Sequence, residues 1–186
     1  MNPVLADLVV QHDAADLDAR NLVNGLTDTQ VRWQPSQSQW SVVHCIEHLA
    51  ISAEMYNRAF ERALAKGIRA SSSQPPRRDG FISRWLVKNI EPPPRARIKT
   101  GRAYVPRLTA PMAETIWARY LAAHEVSRDR IRAADGLDLV RTRMSHPSLM
   151  IFRFSLGAGF AILTGHARRH LWQARQLISH PGFPVY

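Results

Sequence analysis

Apolar residues in this chain recur at intervals of three and four residues over four long stretches, a spacing that places them on one face of an α-helix. The first stretch covers residues 3–25. The second begins near Ser41, a suitable N-cap, and stops at Gly67. The third runs over about 111–134 and the fourth over about 155–179. This periodicity predicts an all-α domain built from four long helices.

A long connection, residues 67–111, separates the second and third helices and contains seven of the twelve prolines. Within it, GFISRWLVKNI has the pattern of a short amphipathic helix, with Phe81, Trp85 and Ile90 expected to dock. Residues 137–153 are ambiguous, with short strand-like runs. We therefore predict a single domain, residues 1–186, that folds as a four-helix bundle with a long crossover connection carrying a short extra helix.

The formal net charge of +10 is concentrated in the same connection, which holds ten Lys or Arg against two acids, Asp79 and Glu91. The rest of the chain carries only +2. Clustered cations attract phosphates, so nucleic-acid or other polyanion binding is an alternative function. The less demanding interpretation, which we favour, is that the basic loop only solvates the fold or steers an anionic substrate toward a site. The ten cations are Arg69, Arg77, Arg78, Arg84, Lys88, Arg95, Arg97, Lys99, Arg102 and Arg107.

The sequence carries no sign of secretion or of a membrane span. Cys45 is the single cysteine, which excludes an internal disulfide framework. The N-terminus lacks the basic region of a signal peptide. The longest apolar run, residues 154–165, is shorter than the roughly 20 residues that a spanning helix needs. These features predict a cytoplasmic protein with no membrane partner.

Two His-x-x-x-His pairs stand on two of the predicted helices: His44 with His48, and His166 with His170. A spacing of four residues puts both rings of a pair on one face, one turn apart, so that one metal ion can be reached by both. With eight histidines in the chain, some such spacings arise by chance, and histidines facing a core are often hydrogen-bonded structural residues. Spacing alone leaves open whether a site has three ligands or four.

Two motifs carry a family resemblance. WSVVHCIEHLAISAEMY resembles the second-helix signature of the DinB-like (DinB/YfiT) superfamily, and HARRHLWQARQL resembles the last-helix motif of that family. Order, spacing and length agree across nearly the whole chain. The resemblance implies a four-helix bundle that holds a divalent metal, often nickel or zinc, with three histidines. Carried over by position, these ligands are His48, His166 and His170.

Several neighbours of these residues are further candidates. The family often has Glu or another polar residue where this chain has His44, and we expect His44 to lie at the surface or behind the ligands rather than to be a fourth ligand. Arg169 and Gln173 extend the metal-facing side of the last helix, and Gln173 could orient a ligand or a bound water. His12 lies on the apolar stripe of the first helix and is expected to be a core residue or to support the ligands from behind. The other histidines are expected to have structural or solvent roles: His124, His146 and His180.

Other conspicuous residues have simple structural interpretations. Ser41 caps the second helix, and Trp40 packs as a hydrophobic staple. Cys45 is expected to be a small buried residue rather than a nucleophile. The glycines of the last helix, including Gly165, are expected to permit close helix contact, since the spacing of a dinucleotide-binding loop is absent.

A metal held by three neutral imidazoles keeps an open position and lowers the pKa of a bound water or thiol. The resemblance points to metal-dependent hydrolases, S-transferases that use low-molecular-weight thiols, and the metal domain of a mycothiol-dependent isomerase. We therefore predict a metal-dependent enzyme, with hydrolase and thiol transferase undecided, that acts on a small molecule, and the basic segment favours an anionic one. A thiol cosubstrate and a homodimer are expected. A non-catalytic dimeric helical bundle is the third alternative.

Overall fold

The computed structural model describes residues 1–71, 80–93, 100–108 and 113–184. These residues are mostly helical, which confirms the expected all-α class. The elements are α1 (Pro3–Val23), α2 (Asp28–Arg32), α3 (Val42–Leu64), α4 (Phe81–Ile90), α5 (Ala113–Ala133), α6 (Leu156–Ile178) and the short strands β1 (Arg143–Ser145) and β2 (Arg153–Ser155).

The four long helices pack in a closed order, because α3 contacts α5 and α6, and α1 contacts the same two helices. One core cluster draws a buried residue from each of them: Leu5 from α1, Phe60 from α3, Ile131 from α5 and Phe160 from α6. The rings of Phe60 and Phe160 are 4.5 Å apart between centroids. A second cluster includes Leu49 of α3 and Leu171 of α6, the sequence neighbours of His48 and His170, and a third lies around Cys45 and Ala174.

Side-chain caps fix where the functional helices begin. Ser41 precedes α3, as predicted, and its hydroxyl accepts from the His44 backbone N–H at 3.4 Å. Ser155 caps α6 in the same way, accepting from Ala158 N–H at 3.0 Å. The helices α1 and α3 end earlier than predicted, at Val23 and Leu64. Helix ends fray, and sequence periodicity does not locate them to the residue.

Two regions gain structure that periodicity could not specify. The segment between the first two predicted helices contains α2, which Thr27 and Gln30 open with a reciprocal capping box. A helix of one turn is too short to show a helical period. The ambiguous region forms the antiparallel β1–β2 hairpin, in which Met144 pairs with Phe154 and both side chains are buried.

Helix α4 lies where the sequence predicts it. The prediction that Phe81 and Trp85 dock against the bundle is wrong. Phe81 is 74% exposed and Trp85 is 53% exposed. The core is contacted instead by Leu86 and Val87, which lie on the opposite face of the helix. The third residue, Ile90, does approach α6: a Cβ added at Gly165 would lie 2.5 Å from Ile90 Cγ2, so the glycine allows this contact.

Some predictions fall outside the described residues. These are most of the SSSQPP loop, Pro94, the predicted opening of the third helix at Thr109 and Pro111, and five of the ten clustered cations, Arg77, Arg78, Arg95, Arg97 and Lys99. Within the part of the chain that the structure describes, no helix has the length and apolar character required to cross a bilayer.

Candidate metal centre

The structure brings together three histidine rings from two helices. His48 comes from α3, and His166 and His170 come from α6, one turn apart. One nitrogen from each ring lies within 4.8 Å of those of the other two. The closest approach joins His48 Nε2 to His166 Nε2 at 3.1 Å. Among the described residues, these three side chains form the group of His, Cys, Asp or Glu whose ligand atoms lie close enough together to hold a metal ion.

Two of the rings are oriented by hydrogen bonds on their outer nitrogen. His48 Nδ1 lies 2.7 Å from the backbone carbonyl oxygen of Tyr104. His170 Nδ1 lies 3.0 Å from Gln173 Oε1. Both oxygens can only accept, so each Nδ1 carries the proton and donates. In a neutral ring this leaves the Nε2 lone pair available, which is the usual arrangement around metal-bound histidine.

Burial keeps the three rings neutral. It lowers the pKa of His48 below its ordinary value, and it lowers the pKa of His166 well below that value. Burial, with a contribution from His48, lowers the pKa of His170 to about 3. Metal ligation requires the unprotonated imidazole, so all three rings are in the correct state at neutral pH.

The donor set and its spacing fit a divalent transition metal. Nitrogen ligands about 2.0–2.1 Å from a tetrahedral zinc ion lie roughly 3.3 Å apart, close to the separation of the His48 and His166 nitrogens. Three neutral imidazoles suit zinc, nickel, copper or iron and leave at least one coordination position for water or substrate.

Aromatic side chains form the walls around the histidines. The Trp40 ring lies 4.9 Å from that of His48 and 5.7 Å from that of His170, centroid to centroid. The Tyr104 ring lies 6.3 Å from that of His48. A stapling role alone was predicted for Trp40, although its position at the start of the second-helix motif could have marked it as a site residue. No sequence signal pointed to Tyr104.

A second contact ties the connection between α3 and α5 to α3, at the residue next to His48. The buried carboxylate of Glu47 accepts from the backbone N–H of Leu108 at 2.7 Å. Leu108 has a φ of 47°, a left-handed conformation that is uncommon outside glycine. Arg119 lies 3.8 Å from the other oxygen of Glu47. Sequence reasoning missed Glu47 because its role depends on a partner far along the chain.

The remaining candidates occupy the surroundings of the three histidines. His44 is half-buried, and its Nδ1 lies 2.7 Å from Ser41 Oγ, at the start of α3. Arg169 is partly buried, which lowers its pKa, and it lies 3.4 Å from the carbonyl oxygen of Asn89. Cys45 is fully buried, and burial raises the pKa of its thiol to about 12, so it does not supply a thiolate.

A separate buried polar cluster joins α1 to α5. Asp16 accepts from Tyr120 Oη at 2.8 Å and from His124 Nδ1 at 2.7 Å, and it pairs with Arg128. His12 lies beside it, with ring centroids 5.5 Å from His124. Neither ring nitrogen of His12 has a hydrogen-bond partner among the described residues. These histidines are interior residues outside the group of His48, His166 and His170.

No curated protein and no solved structure matches the chain. A family model described as the DinB superfamily matches residues 11–174. The matched segment extends from α1 to α6 and includes both helices that present the three histidines. It covers most of the chain and confirms the resemblance carried by the second-helix and last-helix motifs. The chain therefore belongs to the DinB superfamily.

Proposed function

We propose that this protein is a metal-dependent enzyme whose divalent ion is held by His48, His166 and His170. The observation that carries the proposal is the convergence of one nitrogen from each ring within 4.8 Å. It is supported by the hydrogen bonds that place the protons of His48 and His170 on the outward-facing nitrogens. The family fits the same interpretation.

A divalent ion bound there would supply a Lewis acid that lowers the pKa of a water or thiol and polarises a carbonyl. The chain's own residues orient and shield this position. The Tyr104 carbonyl and the Gln173 amide hold two rings in one tautomer. Trp40 packs in a tilted arrangement against the rings of His48 and His170 and would limit the access of bulk water there.

The reaction that we propose is hydrolysis or transfer to a low-molecular-weight thiol. The single cysteine is buried with a raised pKa, so a thiol reaction requires the thiol to arrive as a cosubstrate. The positive charge of the crossover favours an anionic small molecule as the substrate. Arg169, next to the metal-facing histidine His170 in sequence, adds a cation on the same helix.

The architecture that we propose is a single four-helix bundle over residues 1–186, with a long crossover connection between α3 and α5. The closed order of contacts among α1, α3, α5 and α6 supports this arrangement. A homodimer and a cytoplasmic location are part of the same proposal, and hydrodynamic mass measured with and without chelator tests the first.

Metal analysis of the natively purified protein tests the site. We expect bound divalent metal in the wild type, and its loss in His48→Ala and in the double variant His166→Ala with His170→Ala. The exposed His180 gives a matched control, since His180→Ala should retain the metal. Retention of metal in both site variants would exclude these ligands.

Activity is measured separately from metal content. Metal-loaded protein is assayed against a panel of esters and amides, and against electrophiles with several low-molecular-weight thiols. We expect turnover that disappears in His48→Ala and survives in His180→Ala. Metal-loaded protein without turnover on the panel, or normal turnover by His48→Ala, would count against the enzyme assignment while leaving the metal result intact.

A further inference from the structure

We propose that the β1–β2 hairpin and the outer face of α4 form a surface that docks on an anionic lipid membrane. Four consecutive apolar side chains at the hairpin turn are exposed: Leu149 by 58%, Met150 by 71%, Ile151 by 91% and Phe152 by 49%. Single exposed apolar residues are ordinary, but a contiguous run of them marks a contact surface.

The turn that carries this run is held in shape by its own hydrogen bonds. The His146 backbone N–H donates to the Phe152 carbonyl, and the Phe152 N–H donates to the Leu149 carbonyl, both at 2.7 Å. His146 Nδ1 accepts from the Leu149 N–H at 3.2 Å. Backbone groups that are paired within the turn can leave water more easily than unpaired ones. The apolar side chains are thus presented on a folded turn anchored by the buried Met144 and Phe154.

Helix α4 lies beside this hairpin, because it packs against β2. Its outer face carries two exposed aromatic residues, Phe81 and Trp85, one turn apart. Two exposed cations, Arg84 and Lys88, lie on the same side of the helix. A short helix with aromatic and basic residues on its outer side is typical of segments that lie in the membrane interface.

Two further cations, Arg143 and Arg153, lie on the strands that lead into and out of the apolar turn. The strand register pairs Arg143 with Ser155 and Ser145 with Arg153, so both arginines lie on the face opposite the buried Met144. Both arginines are exposed. Residues 80–93 and 143–155 together hold four Lys or Arg and one acid, Glu91.

The single acid does not neutralise these cations. Glu91 binds Arg168 of α6, with one N–O distance of 2.9 Å. In the described part of the chain, none of the four cations Arg84, Lys88, Arg143 and Arg153 forms an ion pair with an acidic side chain. The surface therefore combines apolar contact area with unneutralised positive charge.

The positive charge of this surface favours an anionic membrane over a second copy of the chain. A two-fold contact with a second copy would bring identical patches together and place the cations of one copy against those of the other. An anionic bilayer accepts the aliphatic and aromatic side chains between its headgroups and pairs the arginines with lipid phosphates. The expectation of no membrane partner was based on the absence of a spanning segment. A peripheral contact of this kind does not need one.

The test is co-sedimentation of the full chain with phosphatidylcholine vesicles prepared with and without phosphatidylglycerol. We expect binding to the anionic vesicles that weakens as salt is raised. Ile151→Asp should reduce the partition coefficient by about tenfold or more, since it removes one inserted aliphatic side chain. Arg153→Gln should reduce it about fivefold. The control Leu17→Asp, at a residue of α1 that is 59% exposed, should bind like the wild type.

Three results would overturn the proposal. One is the absence of wild-type binding to anionic vesicles at an ionic strength of about 0.15 M. Another is equal binding by Ile151→Asp and the wild type, which would indicate a general attraction of a basic chain. The third is a wild-type dimer that Ile151→Asp converts to a monomer, which would assign the surface to self-association. Circular dichroism of each variant checks that the exposed substitutions leave the fold intact.

Discussion

Glu47 and Leu108 are joined by a hydrogen bond of 2.7 Å from a backbone N–H to a buried carboxylate, across 61 residues of sequence. The next residue on α3, His48, makes a similar connection by donating to the Tyr104 carbonyl. Adjacent side chains of α3 therefore hold one short segment of the crossover. The segment is fixed beside the three histidines, and its position is coupled to theirs.

The carboxylate of Glu47 is expected to control this coupling. Glu47→Ala removes the acceptor for Leu108 and should release the segment, so that metal affinity falls about tenfold. The segment should also be cut faster by trypsin at Arg102 and Arg107, because local opening exposes the backbone. Glu47→Gln retains an amide oxygen that can accept and should remain close to the wild type. Equal affinity and equal cleavage rates for Glu47→Ala and the wild type would contradict this role.

Gln173 is expected to contribute to metal affinity without being a ligand. Gln173→Ala leaves Nδ1 of His170 without its acceptor, so the ring is less strongly held in its tautomer. Removal of such a partner lowers metal affinity by about 10- to 100-fold. Isothermal titration with zinc measures the effect. Gln176 lies on the exposed side of the same helix, and Gln176→Ala should bind zinc like the wild type. A loss as large in the control would indicate a general effect on α6.

The buried cluster of α1 and α5 is expected to stabilise the fold. Burial alone would raise the pKa of Asp16, but hydrogen bonds from His124, Arg128 and Tyr120 outweigh it and lower the pKa to about 2. Asp16→Asn should lower the free energy of unfolding by about 3 kcal/mol, since it leaves the Arg128 charge without its buried partner. Asp13→Asn is the control, because Asp13 contacts the same arginine from a side chain that is 59% exposed.

The lowered pKa of Asp16 also predicts how stability changes as the pH falls. The folded pKa of Asp16 lies below its ordinary value, so its contribution is complete above that value of 3.8 and is lost as the pH falls toward 2. Urea titrations over this range should show that the wild type loses stability faster than Asp16→Asn. Parallel curves for the two proteins would be inconsistent with an ionised Asp16.

His12 is expected to make stability depend on pH over a higher range. Burial, followed by the charge of His124, lowers the pKa of His12 to about 3. The unfolded chain takes up a proton below the ordinary value of 6.5, so stability falls as the pH drops from there toward 3. At pH 5 the loss is about 2 kcal/mol. Chemical unfolding in the presence of chelator should show that the free energy of unfolding falls less for His12→Leu than for the wild type as the pH is lowered. A difference between the two proteins that does not change with pH would refute the assignment.

Much of the helical framework is readable from local sequence. Ser41 was identified as the N-cap of α3, and the apolar periodicity located the four long helices, because capping and periodicity involve neighbouring residues. The buried state of Cys45 also followed from its place on α3. The family was recognisable for the same reason, since its motifs are short local patterns, and the match over residues 11–174 confirms the assignment.

What the sequence did not show depends on contacts between distant residues. The exposure of Phe81 and Trp85 was missed because a short helix with apolar residues on both sides does not reveal which side faces the core. Glu47 and Tyr104 were missed because their partners lie 61 and 56 residues away. The position of Trp40 against both His48 and His170 depends on the packing of α3 against α6, which the local sequence does not show.

The bond from His48 to the crossover ends on a main-chain oxygen, the carbonyl of Tyr104. Every amino acid supplies that oxygen, so substitution of the Tyr104 side chain, or of its neighbours, need not remove the bond. The crossover can therefore accumulate side-chain mutations while the ring of His48 retains its acceptor. In evolutionary terms, the fold separates the part of the site that must remain constant from the part that can diversify.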